Sequence, residues 1–337
     1  MTDLPAGIRD WLVHNGWNAD DVSLLHGGHT ASLYRFCARK IDPERQSGSW
    51  DLIYKHCVPS RSGEIPILQA LSAELADFMP DILTVLDSQS ERGVLMNNGG
   101  STLKSILADS PEPASEIVLT QFAQFLATLH LSCAKKAKVW NERHALPSYP
   151  FDSSRVYAND ALKRLSWLAN QHIVDGFEQA QVEALHRQAE SFYPSFESRV
   201  SGVSTLTHGD PHLDNVLLRN HVFHLIDWEF ACLATPERDL AIFLQDVLDE
   251  KLYQTAYTAY ISAMMRGGWS MLSRESKASY LSWLFDNTLM MLGWEIEKLS
   301  NGHVDAVTFR RVFAVKYRRM EEAYDALFPS LTQNSSL

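Results

Sequence analysis

The sequence predicts an α+β protein in which a small sheet with one helix, residues 1–96, precedes a larger, mainly helical region, residues 97–337. Runs of β-branched, aromatic and apolar residues are concentrated in the first third of the chain, as in strands. Helical periodicity dominates the remainder. The length of 337 residues exceeds that of most compact domains, which indicates two lobes or domains.

The first 96 residues contain four predicted strands and one predicted helix. Ser32–Ala38 and Asp51–Val58 are rich in strand-forming residues, and a polar stretch separates them like a hairpin connection. The apolar residues of Pro66–Phe78 fall on one helical face. Two further short strands are predicted at Ile82–Leu86 and Gly93–Met96.

Helices of the second region are predicted from apolar residues that recur on one face. They cover Leu119–Leu131, Glu178–Arg199, Tyr253–Met265, Tyr280–Leu299 and Phe309–Leu327. One short β-rich insertion, Val216–Leu218 and Val222–Asp227, lies among them.

The net charge of the chain limits the classes of partner that we expect it to bind. The chain carries 30 basic and 41 acidic residues, a formal net charge of −11. Such a chain is a poor candidate for nucleic acid or an anionic membrane surface, so we expect neither as a partner. The charge suits a cationic small substrate, although many cytosolic proteins are acidic for solubility alone. No stretch approaches the roughly 20 apolar residues of a membrane span.

The cysteines and the N-terminus predict a reduced, cytoplasmic protein. Cys37, Cys57, Cys133 and Cys232 are scattered, without close pairs of the metal-ligand type, and a disulfide framework is not expected at this length. Met1–Trp11 lacks the basic start and apolar core of a signal peptide.

The segment His208–Glu229, HGDPHLDNVLLRNHVFHLIDWE, carries residues suited to chemistry. Asp210 and Asn215 lie in a stretch with a proline, which predicts a loop, and Asp227 follows a hairpin-like pair of short strands. Phosphoryl transfer needs a carboxylate that accepts the proton of the attacking hydroxyl, and oxygen ligands that hold Mg²⁺ against the phosphates. Asp210 can be that carboxylate, and Asn215 and Asp227 can be the metal ligands. Taken singly, each is more often a turn residue.

HGDPHLDN followed by IDWEFA resembles the aminoglycoside phosphotransferase and choline kinase superfamily. Its HGDxHxxN loop matches at His208, Gly209, Asp210, His212 and Asn215. The resemblance implies the two-lobed fold of protein kinases, with a small antiparallel sheet in the first lobe, and the use of ATP and Mg²⁺. It implies that Asp210 is the catalytic base and that Asn215 and Asp227 bind the metal. Asp239 matches an aspartate that helps to hold the catalytic loop.

The resemblance extends to Lys55 in the run LIYK, which matches the third strand of the family and its phosphate-contacting lysine. A lysine there acts as a point charge on the α and β phosphates. Its orienting partner is expected in the following helix, where Glu64 fits the family spacing and Glu74 is the rival. The alternative interpretation is a solvated strand lysine and an acidic residue favoured at a helix start.

Two further segments resemble nucleotide-contacting parts of the family. Leu24–Phe36 resembles the hairpin that covers the phosphates, where Gly27 and Gly28 allow close approach of the backbone. Ala31 stands where choline-kinase-like members carry Asn. Gly93–Leu103 resembles the linker whose backbone bonds the adenine edge. The residues expected to do so are Leu95, Met96 and Asn97.

These motifs predict an ATP-dependent phosphotransferase acting on a hydroxyl of a small, cationic molecule of the choline, ethanolamine or thiamine type. IDWEFA is closest to kinases of such alcohols. Aromatic and acidic residues also occur together in the C-terminal helices, and this mixture suits a bound cation. They are Trp283, Asp286, Trp294, Glu295 and Glu297. A core helix with a solvated acidic face is the alternative interpretation of these five.

An aminoglycoside-type antibiotic kinase and a nucleotide-binding pseudokinase with a regulatory role are the alternative functions. The joint presence of Lys55, Asp210, Asn215 and Asp227 favours an active enzyme. The sequence contains no GxxxxGK[ST] motif and no protein-kinase activation segment after Asp227.

Overall fold

A computed structural model describes residues 3–25, 31–40, 48–58, 63–143 and 146–329. Two compact units are present. The first contains residues 1–109 and 208–231, and the second contains residues 110–207 and 232–337. The first unit thus includes the motif-bearing segment 208–231. The division into lobes 1–96 and 97–337 stays a prediction.

In the described part of the chain, the first unit has a five-stranded antiparallel sheet in the order β1-β2-β3-β5-β4. These strands are β1 (Trp17–Leu25), β2 (Ala31–Lys40), β3 (Ser49–Cys57), β4 (Ile82–Asp87) and β5 (Arg92–Asn97). A smaller antiparallel sheet contains β6 (Ser101–Thr102), β8 (Val216–Arg219) and β9 (Val222–Leu225). The helices of the unit are α1 (Ala6–His14), α2 (Glu64–Leu71) and α3 (Leu103–Asp109). The predicted small sheet is confirmed.

Strand β1 and helix α1 were not predicted from the sequence. The pairing of β1 with β2 shifts register between Asp20 and Ser23, and Asp21 adopts a φ of 57°. This bulge interrupts the two-residue alternation by which a strand is recognised.

Helix α2 is shorter than the predicted helix Pro66–Phe78. It ends at Leu71, and tight turns follow, in which the Glu74 amide donates to Leu71 O at 2.9 Å. Leu75 and Phe78 are buried although they lie beyond the helix. The apolar pattern therefore predicted correctly which residues are buried, but it predicted too long a helix.

Helix α1 is fixed to the sheet by the carboxylate of Glu91. Pro5, at the N-cap, offers no side-chain cap. Glu91 instead accepts the Gly7 amide at 2.5 Å and the Ile8 amide at 2.9 Å, which satisfies two N–H groups of the first helical turn. The Tyr54 hydroxyl donates to the same carboxylate at 2.7 Å. Burial, together with this carboxylate, raises the pKa of that hydroxyl.

The second unit is mainly helical in its described part. Its helices are α4 (Glu112–Glu142), α5 (Phe151–Gln171), α6 (Gln179–Phe192), α7 (Phe196–Arg199), α8 (Glu237–Gln245), α9 (Glu250–Arg266), α10 (Arg274–Ser300) and α11 (Ala306–Leu327). One ladder pairs β7 (Thr205–Thr207) with β10 (Cys232–Ala234) in antiparallel fashion. Helix α10 packs on α5, α8 and α11, and α4 packs on α9 and β7. The predicted helical character of this region is confirmed.

The predicted helix Glu178–Arg199 is broken in the structure. Helix α6 ends at Phe192, a 3₁₀ turn containing Pro194 follows, and α7 begins at Phe196. Proline cannot donate the backbone hydrogen bond that a continuous helix needs, which accounts for the break.

Helix α4 corrects the expectation that no stretch is apolar enough for a membrane span. Within the described residues, this helix passes that test by length and composition, and 44% of its most apolar window is buried in the protein. Its buried residues, such as Phe122 and Leu126, belong to the core of the second unit. Such burial is typical of a long core helix.

The carboxylate of Asp286 on α10 is fully buried in the second unit. It accepts hydrogen bonds from Tyr193 at 2.9 Å and Tyr149 at 3.2 Å. Burial raises its pKa to about 6, and the hydrogen bonds that it accepts only partly offset this effect. The folded state therefore holds this proton more tightly than the unfolded chain does.

We expect Glu91→Gln to lower the free energy of unfolding by about 1.5–3 kcal/mol, because it removes a charged acceptor shared by three donors. Urea unfolding of the purified chain measures this. The control is Glu112→Gln, whose side chain is 59% exposed beside Lys251, and which should change stability by less than about 0.5 kcal/mol. Equal stability of the two variants would contradict the capping role.

Asp286 should make stability fall as pH rises from about 4 to about 6, because its proton favours the folded state over that range. Below the unfolded pKa the benefit is complete, and above the folded pKa it is lost. The loss amounts to about 3 kcal/mol. The difference in unfolding free energy between the natural protein and Asp286→Asn, measured across this range, should decline with pH. A flat or rising difference would refute the assignment.

Candidate active site

The predicted catalytic segment belongs entirely to the first unit. Its loop, from His208 to Asn215, leads into β8, and a two-residue turn connects β8 to β9. The turn residues Asn220 and His221 have φ of 50° and 65°, which match the type of tight turn preferred in hairpins. Asp227 follows β9, as the sequence predicted.

Asp210 and Asn215 are brought together. The side-chain amide of Asn215 donates to Asp210 Oδ2 at 3.1 Å and to the Asp210 carbonyl at 3.0 Å. The Ile226 amide donates to the Asn215 carbonyl at 3.1 Å, so Asn215 and Asp227 also lie near each other. The three residues predicted to carry the chemistry therefore form one group.

His208 links the loop to the residue before Asp227. Its Nδ1 accepts the Asp210 amide at 3.3 Å, and its Nε2 lies 3.0 Å from the carbonyl of Ile226. Because an amide can only donate and a carbonyl can only accept, the proton must be on Nε2. The ring also packs against Trp228, with ring centres 4.6 Å apart. These contacts brace the loop against the segment that precedes Asp227.

Asp227 has a left-handed backbone, with φ 68° and ψ 63°. Most residues avoid this region, and Asp and Asn tolerate it best. Backbone conformations of this kind concentrate at functional sites, where the surrounding structure enforces them. From this position the Asp227 carboxylate contacts Lys55, with Oδ1 3.0 Å from Nζ.

Lys55 lies between two carboxylates. Its Nζ is 2.5 Å from Glu64 and 3.0 Å from Asp227, and its side chain is only 13% exposed. Burial by itself lowers the pKa of this ammonium, but the attraction of Glu64 and Asp227 outweighs burial, and the pKa is raised. Lys55 therefore stays charged. The structure pairs it with Glu64 and not with the rival Glu74.

Glu64 also contacts the chain beside Asp227. Its Oε1 accepts the main-chain amide of Trp228 at 3.1 Å, while Oε2 binds Lys55. Nothing in the sequence signalled this second contact, because the two partners are far apart along the chain. One carboxylate thus connects α2, β3 and the segment after β9.

Five further residues were predicted to contact the nucleotide: Gly27, Gly28, Leu95, Met96 and Asn97. Gly27 and Gly28 lie outside the described residues. Leu95 and Met96 are buried in β5, and Asn97 ends that strand. The Asn97 amide donates to the carbonyl of Asp81 at 2.9 Å, so that N–H is bonded within the protein. Adenine contacts by Leu95, Met96 and Asn97 stay a prediction.

The five residues proposed to hold a cation do not form one site. Trp283 is buried and donates its indole N–H to Thr235 at 2.8 Å, and Asp286 is buried among hydroxyl groups. The carboxylate of Glu295 accepts a hydrogen bond from Lys316 Nζ at 3.0 Å. Glu297 binds Arg164, whose guanidinium carbon also lies 5.8 Å from the ring centre of the half-exposed Trp294. These carboxylates already have partners within the protein.

Asp239 is fully buried in the second unit, where Oδ2 lies 3.1 Å from His130 Nε2. The other ring nitrogen of His130 lies 2.6 Å from the Tyr260 hydroxyl. His130 lies in the predicted helix Leu119–Leu131, where apolar residues on one face gave the prediction. A histidine within an apolar run was the available signal for this polar contact.

The donor set fits Mg²⁺. Within the described residues, no group of three or more His, Cys, Asp and Glu side chains forms a metal centre. Mg²⁺ prefers oxygen ligands and usually takes only one or two from the protein, with the rest supplied by water and phosphates. The amide oxygen of Asn215 and the carboxylate of Asp227 meet that requirement.

The sequence model of the APH phosphotransferase enzyme family matches residues 51–270. No curated protein sequence matches the chain significantly.

Solved structures with the same fold cover nearly the whole chain. A choline/ethanolamine kinase family protein from Mesorhizobium loti is 16% identical, with a TM-score of 0.57, and the match covers 91% of this chain and 92% of that one. The macrolide 2'-phosphotransferase MphH from Brachybacterium faecium is 20% identical, with a TM-score of 0.55 and coverage of 96% and 98%. A thermostable aminoglycoside phosphotransferase APH(4)-Ia, in complex with AMP-PNP and hygromycin B, is 16% identical, with a TM-score of 0.56 and coverage of 93% and 98%.

These structures share the fold of this chain, and their low identities leave its acceptor open. The family match is the stronger finding, since it spans well over half of the sequence and includes Lys55, Asp210, Asn215 and Asp227. The chain belongs to the phosphotransferase enzyme family.

Proposed function

We propose that this protein transfers the γ-phosphate of ATP to a hydroxyl of a small molecule. The observation that carries the proposal is the contact between Lys55 and Asp227, 3.0 Å apart across 172 positions of sequence. A cation suited to phosphates and a carboxylate suited to a metal ion thus lie side by side in the first unit. The complex of APH(4)-Ia with AMP-PNP supports ATP as the donor.

The proposed reaction moves one phosphoryl group and one proton. The acceptor oxygen bonds to the γ-phosphorus while the bond from that phosphorus to the β–γ bridging oxygen breaks, and ADP leaves. Asp210 orients the hydroxyl and accepts its proton. Lys55 balances the charge of the α and β phosphates. Mg²⁺ bound by Asn215 and Asp227 would neutralise further phosphate charge.

We further propose a cationic alcohol of the choline, ethanolamine or thiamine type as acceptor. The net charge of −11 and the fold shared with a choline/ethanolamine kinase family protein support this choice. Glu295 and Glu297 do not support it, because each is already paired with a cationic side chain of the protein. A cationic acceptor would therefore have to bind to other residues. An aminoglycoside is the second candidate, supported by the fold shared with the hygromycin B complex.

A regulatory pseudokinase is disfavoured by the arrangement of charges. A protein that only binds nucleotide has no need of a proton acceptor at Asp210. In the structure the carboxylate of Asp210 and the amide of Asn215 are in contact. This contact places the proposed base beside a proposed metal ligand, which supports an active enzyme.

Asp210→Ala should lower turnover by about 10²–10⁴-fold, because it removes the proton acceptor, and should leave ATP affinity nearly unchanged. ADP release in the presence of the acceptor measures turnover, and calorimetry measures ATP binding. Asp87→Ala, which alters a surface ion pair with Arg92, serves as the control and should retain activity. Turnover by Asp210→Ala at the natural rate would exclude Asp210 as the base.

Asp227→Asn should weaken the effect of Mg²⁺ on ATP binding by about 10–100-fold, because a neutral amide is a poorer ligand. Asn tolerates the left-handed backbone at this position, so the fold should persist. Calorimetric titration of ATP with and without Mg²⁺ gives the comparison, with the exposed Asp20→Asn as control. If magnesium strengthens ATP binding equally in both variants, Asp227 is not a ligand.

The charge of the acceptor can be tested with a pair of isosteres. We expect kcat/KM for choline to exceed that for 3,3-dimethylbutan-1-ol by about 10²-fold or more, because a site built for a cation leaves its acidic or aromatic groups unpaired with a neutral ligand. Equal efficiencies would refute the cationic acceptor and leave the phosphotransferase assignment standing. Hygromycin B as a third acceptor tests the aminoglycoside alternative.

A further inference from the structure

His212, the second histidine of the motif, lies beside the proposed base and has no role in the reaction described above. Its Nε2 is 3.5 Å from Asp210 Oδ2, and both side chains are 25% exposed. That separation exceeds a hydrogen bond, yet it places the ring edge against one carboxylate oxygen.

The proton on His212 can be located from its other contact. Its Nδ1 accepts the main-chain amide of Asp214 at 3.2 Å. An amide can only donate, so Nδ1 carries the lone pair and the proton of the neutral ring is on Nε2. The protonated nitrogen is therefore the one that lies 3.5 Å from Asp210 Oδ2.

The backbone holds the ring in this orientation. The Asn215 amide donates to the His212 carbonyl at 2.8 Å, which closes a turn between the two residues. His208 uses the same device, since its Nδ1 also accepts the amide two residues later, and its proton is also on Nε2. The repetition indicates that both rings are held in one tautomer by their local turns.

The two oxygens of the Asp210 carboxylate have different surroundings. Oδ2 accepts a hydrogen bond from the Asn215 side-chain amide at 3.1 Å and lies 3.5 Å from His212 Nε2. In the described part of the chain, Oδ1 has no hydrogen-bond partner. A carboxylate held at one oxygen cannot rotate freely, so the other oxygen keeps a fixed direction.

We propose that His212 is a positioning residue: its Nε2–H holds Asp210 Oδ2, so that Oδ1 is the oxygen that takes the proton of the acceptor hydroxyl. This inference rests on the proposed function. As phosphorus binds the acceptor oxygen and ADP leaves, the hydroxyl proton goes to Oδ1, and the Nε2–H keeps its own proton throughout. The contact to Oδ2 shortens into a hydrogen bond when the substrates bind, as catalytic contacts commonly do.

Two substitutions at His212 separate positioning from packing. His212→Ala removes the donor, whereas the amide nitrogen of His212→Gln can take the place of Nε2. We expect His212→Ala to lower kcat by about 10–100-fold, with KM for ATP changed less than about two-fold, and His212→Gln to retain most of the rate. The exposed His186→Ala is the control and should match the natural protein. The assay is ADP release from MgATP with choline, ethanolamine, thiamine and hygromycin B.

The tautomer supplies a readout that does not depend on turnover. Long-range ¹H–¹⁵N spectra of the natural protein should show His212 protonated at Nε2 and unprotonated at Nδ1. The opposite tautomer, full activity of His212→Ala, or equal loss in the Ala and Gln variants would each overturn the inference. A natural protein that releases no ADP with any acceptor would remove the proposed function and the inference with it, whereas the other outcomes reject His212 alone.

Discussion

The first unit depends on the ion cluster of Lys55, Glu64 and Asp227, in which the side chains of Lys55 and Glu64 are largely buried. The cluster connects β3, α2 and the segment after β9, three parts of the chain with no sequence continuity. Removing water from these charges costs free energy, and their mutual attraction only roughly offsets that cost, so the cluster is a weak source of stability. Removal of Lys55 would leave the buried Glu64 carboxylate without its cation, at a cost of about 3–5 kcal/mol, whereas removal of Asp227 leaves the pair Lys55–Glu64 in place. A cluster of this kind is characteristic of a functional site.

The remaining groups of the site are held by main-chain hydrogen bonds that converge on the same place. Glu64 accepts a hydrogen bond from the amide of Trp228. The His208 ring accepts a hydrogen bond from the Asp210 amide through Nδ1 and donates one to the Ile226 carbonyl through Nε2. These contacts compensate for the unfavourable backbone of Asp227, because a residue in a strained conformation persists only where its neighbours enforce it. Rigid placement matters more here than chemical variety, since phosphoryl transfer relies on positioning and electrostatics.

The predictions succeeded where the signal was local. The spacing of HGDPHLDN and IDWEFA placed Asp210, Asn215 and Asp227 in one group, because a tight hairpin returns the chain to its starting point within a few residues. The grouping of Trp283, Asp286, Trp294, Glu295 and Glu297 was wrong, because nearness along a helix does not put side chains on one face. Positions on α10 point in several directions, and each carboxylate meets a different neighbouring helix or loop.

The sequence by itself determined the fold class, the family and the identity of the groups available for chemistry, since these follow from periodicity and from motifs a few residues long. Only the tertiary structure decided that Glu64 and not Glu74 meets Lys55, that Glu91 caps α1, and that the His212 ring faces Asp210. Such contacts join residues far apart along the chain or depend on the rotation of a side chain. Their formation depends on how the backbone packs in three dimensions, which no local pattern of residues encodes.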